Sequence, residues 1–305
     1  MITVLDASVD EVLAACRGLV DGRSGGAGRA STASTASTAS LASATSAAFA
    51  ASTVGATSAG AAGRTEVEAA EQLVDASDRE AAARRRRPAD ARRTLAGRVA
   101  LRLLVTARLG VPASLASQVT VDRTCRTCGE PHGQPRVAGL SVSTSGSDGR
   151  VLVAVADKGI EVGVDIERVP GSVFDGFDDV ALHPDEKQHF AEVAPGAGVA
   201  ARLTCWVEKE AVLKAAGVGL ASPLHQLLVA RVPDDYALPS RADMIGPWEW
   251  RAVLQAGTPD AVGLAVSELP THRGYRSAVA ARVPTRIHAV DLGSVAGGVA
   301  EVQLG

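Results

Sequence analysis

Aromatic side chains are scarce in this 305-residue chain: four Phe, three Trp and two Tyr, 3% of the total. Its core must therefore be built from aliphatic residues, and the 46% hydrophobic content overstates the available bulk because much of it is alanine. Four cysteines are too few for a disulfide scaffold. Lysine occurs only at Lys158, Lys187, Lys209 and Lys214, so nearly all cationic charge rests on arginine. Long apolar runs are missing too. The stretch from Val99 to Val111 is broken by Arg102 and Arg108, and no window reaches the roughly 20 apolar residues of a membrane span. Leu13-Ala14-Ala15-Cys16 looks like a lipoprotein cleavage box, but residues 1–12 carry Asp6, Asp10 and Glu11 and no cation, against the pattern of a signal peptide. The net charge of −3 argues against a chain that coats nucleic acid, while leaving a local basic face open. The expectation is a reduced, cytoplasmic, soluble enzyme of one large or two small domains.

What is present is unevenly distributed. Between Arg29 and Arg64 lie 34 uncharged residues, nearly all Ala, Ser, Thr and Gly, with Ser-Thr-Ala repeating over 31–39. Such a segment has too little apolar bulk to offset its ordering entropy, and 24–63 reads as a disordered insertion. The acids Glu66 to Asp78 then give way to the arginines Arg84 to Arg108 on an Ala/Leu/Val background, which predicts helix. Leu95, Val99, Leu103 and Leu104 repeat at helical spacing, so the arginines are expected on the other faces, either as a solvated surface or as a binding face.

From Val137 onward short strand-like runs appear. Val151–Ala156, the turn Asp157-Lys158-Gly159 and Ile160–Ile166 predict a β-hairpin. Helices are expected around 184–193 and from about Ala200 to Ala216, the latter stopped by Gly217 and Gly219. Strand-like segments at 225–232, 248–255 and 260–267 follow, and the chain beyond about 284 has no assigned structure.

Two segments carry chemistry. In Val162-Gly163-Val164-Asp165-Ile166-Glu167 the strand period places the aliphatic residues on one face and both carboxylates on the other. Such a pair can share a hard divalent cation, or be ordinary surface acids on a half-solvated strand. In Cys205-Trp206-Val207-Glu208-Lys209-Glu210-Ala211-Val212-Leu213-Lys214 one helix face presents Trp206, Glu210 and Lys214, with a routine i,i+4 salt bridge as the plain alternative. Two of the four lysines and one of the three tryptophans fall within nine residues there.

Gly163-Val164-Asp165-Ile166-Glu167 followed by Trp206-x-x-Lys209-Glu210-Ala211-x-x-Lys214-x-x-Gly217-x-Gly219-Leu220 resembles the 4′-phosphopantetheinyl transferase superfamily, most closely its larger, Sfp-like, actinobacterial type. The resemblance runs from about Glu80 to about Arg282, with a first strand at Ile2 to Leu5. It implies an α+β fold of two pseudo-twofold-related halves, each a small antiparallel sheet packed with a helix: 1–23 with 64–158, then 159–284, with 285–305 as a tail. The reaction it implies moves 4′-phosphopantetheine from coenzyme A to a serine of an apo acyl or peptidyl carrier protein. Magnesium, or manganese, would be held by Asp165, Glu167 and Glu210, with Glu210 and Lys214 as catalytic residues. Asp90-Ala91-Arg92-Arg93-Thr94-Leu95-Ala96-Gly97 looks like the family's arginine helix, so Arg93, with Arg85, Arg87 or Arg102, is expected at the 3′-phosphate of coenzyme A. Lys209 is expected to hold the pyrophosphate or to orient Glu210. The resemblance further implies a monomer with no nucleic-acid or membrane partner.

Gln134 and Thr144, flanked by Ser143, stand where the family usually has Lys and His, so coenzyme A binding is expected to be weaker. A weakened or repurposed homologue that binds coenzyme A or nucleotide is the alternative. A nucleic-acid module using Arg84 to Arg108 is a second rival, opposed by the few aromatics. Cys125-x-x-Cys128 and His132 resemble a linker found in related chains; no second Cys/His pair completes four zinc ligands, so a turn that happens to carry thiols is the preferred reading.

Overall fold

A computed structural model describes residues 1–21, 66–191, 198–219, 222–231 and 248–297. The 24–63 insertion and Leu220 of the second motif lie outside them. The first sheet has the order β2-β3-β1-β9, with β1 (Ile2–Ser8), β2 (Leu140–Ser147), β3 (Arg150–Asp157) and β9 (Ile287–Val290). The second has the order β4-β8-β7-β6-β5, with β4 (Val162–Arg168), β5 (Leu228–Arg231), β6 (Arg251–Gln255), β7 (Ala265–Glu268) and β8 (Tyr275–Ala281). Every pairing is antiparallel except β1 with β9, so the expected α+β class holds.

Helix α1 (Val9–Asp21) starts at a capping box, in which Ser8 Oγ accepts from Glu11 N and Glu11 Oε2 accepts from Ser8 N. Helix α2 (Ala76–Ala83) is capped by Asp75, and α3 (Pro88–Leu109) begins at Pro88 and ends on left-handed Gly110. Leu95, Val99, Leu103 and Leu104 are all buried, as their spacing predicts. In the second half come α4 (Phe177–Ala181), α5 (Pro184–Ala191) and α6 (Val199–Ala216), the last stopped by left-handed Gly217. Helix α7 (Leu292–Ala296) follows β9.

Alternation along the strands builds the layers. Val151, Val153 and Val155 of β3 pack with α1 and α3, whereas Leu152, Ala154 and Ala156 pack against Val162, Val164 and Ile166 of β4. The two sheets thus share one apolar interface, and each carries a long helix on its far face: α3 on the first, α6 on the second.

This arrangement corrects the hairpin expectation. Gly159 does adopt a left-handed turn, but β3 pairs with β1 and β2 while β4 pairs with β8, so the turn passes the chain from one sheet to the other. Local turn chemistry cannot distinguish these outcomes; the apolar faces of both strands decide it by packing on each other. Strand β8, for which the sequence offered no expectation, fills the place beside β4. Beyond 284, where the sequence offered no assignment, β9 lies parallel to β1 at the edge of the first sheet, and Val295 of α7 joins the first core.

Candidate active site

Helix α6 rides directly on β4 at Gly163, where an added Cβ would lie 2.0 Å from the Ala211 carbonyl oxygen and 2.4 Å from Ala215 N. That close approach brings the next residue on the same strand face, Asp165, within reach of the helix. Lys214 Nζ donates to Asp165 Oδ1 at 2.6 Å and to Ser145 Oγ at 3.0 Å. The Lys214 ammonium therefore pairs across to β4 and does not form a bond internal to its helix.

Strand β2 sews the first sheet to the edge of β4 through three serines two residues apart. Ser143 Oγ accepts from Val164 N, Ser145 Oγ donates to Asp165 Oδ1 at 2.7 Å, and Ser147 Oγ donates to Glu167 Oε2 at 2.5 Å. Sequence reasoning missed Ser145 and Ser147; their alternation with Ser143 was the available signal. Ser143 itself is corrected as a coenzyme A ligand, because it is buried and spends its hydroxyl on backbone.

Asp165 and Glu210 are buried and Glu167 half-buried. Burial, then repulsion from Asp165, pushes the Glu210 carboxyl up to about 7. Burial likewise raises Glu167, against a lowering hydrogen bond from Ser147. Asp165 Oδ2 is buried with no hydrogen-bond partner. Three repelling carboxylates, one with an orphaned oxygen, form an oxygen donor set suited to a hard divalent cation.

Beside them a cleft of about 250 Å³ is lined by Arg85, Arg93, Arg98, Arg123, Thr144 and Ser145. Ser145 thus touches both the cleft and the acids. Arg98 Nη1 and Arg123 Nε are buried without hydrogen-bond acceptors, although both lie within 4 Å of Asp78 Oδ1. Arg93 pairs with Asp90 at 2.7 Å and Arg85 Nε donates to Thr94 Oγ1. Four guanidinium groups gathered along one concave wall are suited to an anion, although Asp78, Asp90 and Thr94 already take some of their donors. Arg98 and Arg123 were missed by sequence reasoning, because nothing in a helical or loop pattern says which arginines converge.

Other expected ligands lie elsewhere. Arg87 is exposed at the start of α3 and does not line the cleft. Arg102, 0% exposed, bonds Asp75, Asp78 and the carbonyls of Ala116 and Val119. It anchors α2 and the segment after α3, so it is corrected from ligand to structural ion pair. Arg102→Ala is expected to cost about 3–5 kcal/mol by leaving buried Asp78 short of a partner, read as a fall in denaturation midpoint. Lys209 is corrected for the same reason: fully buried, its Nζ donates to Ala181 O and to Glu186 Oε2 and pins α4 and α5 to α6. Gln134 donates from its amide to the Lys214 carbonyl at the end of α6. Trp206, expected on the face of Glu210, stacks on Phe177 at 5.7 Å between ring centroids.

No helix among the described residues is long and apolar enough to cross a membrane. A search of curated proteins finds no match. The family model described as the 4′-phosphopantetheinyl transferase superfamily matches residues 161–275. The part of the chain that supplies Asp165, Glu167, Glu210 and Lys214 is a domain of the 4′-phosphopantetheinyl transferase superfamily.

Proposed function

We propose that the chain transfers the 4′-phosphopantetheine group of coenzyme A to a serine hydroxyl of an apo acyl or peptidyl carrier protein and releases 3′,5′-ADP. The observation that carries this reading is the acid group of buried Asp165 and Glu210 and half-buried Glu167, tied to Lys214, beside a cleft lined by four arginines. The reading includes a monomer acting in the cytoplasm on a carrier protein, with no nucleic-acid or membrane partner.

Asp165, Glu167 and Glu210 would hold Mg²⁺, or Mn²⁺, which when bound supplies charge neutralisation for a pyrophosphate. Arg93 and Arg85, joined by Arg98 and Arg123, hold the 3′-phosphate by charge-assisted hydrogen bonds. The carrier serine oxygen forms a bond to the phosphorus that bears pantetheine, and the bridging P–O bond of the pyrophosphate breaks towards the nucleotide. Glu210 takes the serine proton. Lys214 is placed to stabilise or protonate the departing phosphate, and its bond to Asp165 keeps it oriented.

Thr144 favours a second reading, a homologue that binds coenzyme A without turning it over, because a neutral hydroxyl lines the arginine cleft where a cation is usual. The two readings separate when the purified chain is incubated with Mg²⁺, coenzyme A and a panel of apo carriers, and the carriers are weighed by intact-mass spectrometry. A gain of one phosphopantetheine, lost on chelation, is the expected result. Coenzyme A binding with no gain on any carrier would select the second reading.

Thr144→His is expected to lower the Kd for coenzyme A several-fold at mildly acid pH, where the added imidazole is charged. An unchanged Kd in calorimetry would show that the four arginines already satisfy the phosphate.

A further inference from the structure

Apart from Arg123 at its start, the turn between Asp122 and Arg136 has no part in the proposed transfer. Within it Cys125, Cys128 and His132 bring two sulfur atoms and an imidazole nitrogen within 4.8 Å of one another, the one such group of potential metal ligands found among the described residues. Cys128 Sγ lies 3.0 Å from His132 Nε2, and neither cysteine forms a disulfide.

The backbone is wound around the sulfurs. Gly129, left-handed at φ 78°, donates its N–H to the Cys125 carbonyl at 2.9 Å, and Cys125 N donates to Glu130 O at 2.8 Å. The N–H groups of Thr127 and Cys128 donate to the Cys125 sulfur. A Cys-x-x-Cys-Gly turn whose amides converge on sulfur stabilises thiolate, the form that ligates metal. Gly133 admits no side chain, since a Cβ would lie 2.8 Å from the Thr124 carbonyl oxygen, so the His132 arm is folded tightly onto the Cys125 arm.

The sequence argument against a metal was a count: a closed site takes four protein ligands, and only three are near. In space the three suffice for an open site, because Cys128 and His132 are exposed and leave the fourth position to water. Two thiolates and an imidazole suit zinc and reject magnesium. We propose that Cys125, Cys128 and His132 bind one zinc ion, with water as fourth ligand, clipping the 122–136 turn shut. The thiol protons of Cys125 and Cys128 pass to solvent as the two Zn–S bonds form, and nothing is oxidised or reduced. The clip sits two residues before Gln134, which bonds the end of the helix that carries Glu210 and Lys214. It therefore holds the first half of the chain against the end of α6.

The test uses the full chain, stripped of metal under reducing conditions and titrated with Zn²⁺ against a chromogenic chelator, with Co²⁺ in parallel as a spectroscopic reporter. One equivalent of zinc and a sulfur-to-cobalt charge-transfer band are expected. Cys128→Ser and His132→Ala should each weaken zinc binding at least about 10-fold. Cys205→Ser and Glu210→Gln should leave it unchanged, which separates this site from the carboxylate site and from the transfer reading. Zinc bound no tighter than by the chelator, or an equal loss in Cys205→Ser, would overturn the proposal. So would a Cys125–Cys128 disulfide persisting under reductant.

Discussion

Asp165→Asn and Glu210→Gln are each expected to lower turnover about 10²–10⁴-fold while leaving the chain folded. The reason lies in their surroundings. Asp165 is the shared partner of Lys214 and Ser145, and its other oxygen is orphaned, so its charge organises the site while contributing little to the core. Glu210 is held against Asp165 and Glu167, and its carboxyl is raised above the ordinary 4.5 to about 7. A raised acid costs the folded state progressively as pH climbs from about 4.5 to about 7, and the full cost persists above that. Glu210→Gln removes that cost, so its Tm at pH 8 should equal or exceed that of the parent chain. Turnover measured by carrier mass gain, with thermal unfolding in parallel, checks both halves of the prediction. Near-normal turnover with Mg²⁺ in either variant would remove the acids from the reaction.

Gly163→Ala is expected to do the opposite, striking stability and site together. Its Cβ would meet the backbone of Ala211 and Ala215, which has no side-chain rotation by which to escape, so α6 must lift from β4. Overpacking of this kind costs about 3 kcal/mol, a fall in Tm of roughly 6–10 °C. Because Asp165 lies on β4 and Lys214 on α6, the same displacement lengthens their 2.6 Å bond and should reduce turnover even at temperatures where the variant is folded. A variant with unchanged Tm would show that the helix accommodates the methyl, and that the strand-to-helix contact is looser than its geometry implies. Gly163→Ser, larger still, should be worse on both readouts.

Much of the candidate site was readable before any coordinates. The period of two in 162–167 put Asp165 and Glu167 on the face opposite the valines, and that face is the one α6 covers. The four-residue step from Glu210 to Lys214 put both on one face of a helix that ends at Gly217, as its glycine predicted. The reading failed where one residue type has two possible uses. Arginine at 93 faces the cleft and arginine at 102 is sealed in the core, yet both sit in the same helical pattern. Lysine at 209 and at 214 are five apart on one helix: the first reaches Glu186 behind it and the second Asp165 in front. The serines of β2 read as a strand of small residues until the second sheet lies beside them.

Local periodicity and turn chemistry determined by themselves the two long helices, the stop of α6 at Gly217, and the acid and lysine residues of β4 and α6, while the α+β class followed from the resemblance those motifs carry. The local features follow from interactions within a few residues, which hydrophobic spacing and glycine conformation encode directly. Tertiary structure alone decided that β3 and β4 part into different sheets, that β9 returns to β1, which arginines line the cleft and which are struts, and that two cysteines meet a histidine. Each of those depends on which of two buried faces finds a partner distant in the chain. A side chain's charge or thiol is the same in either place; its role is set by the desolvation and the neighbours that packing imposes.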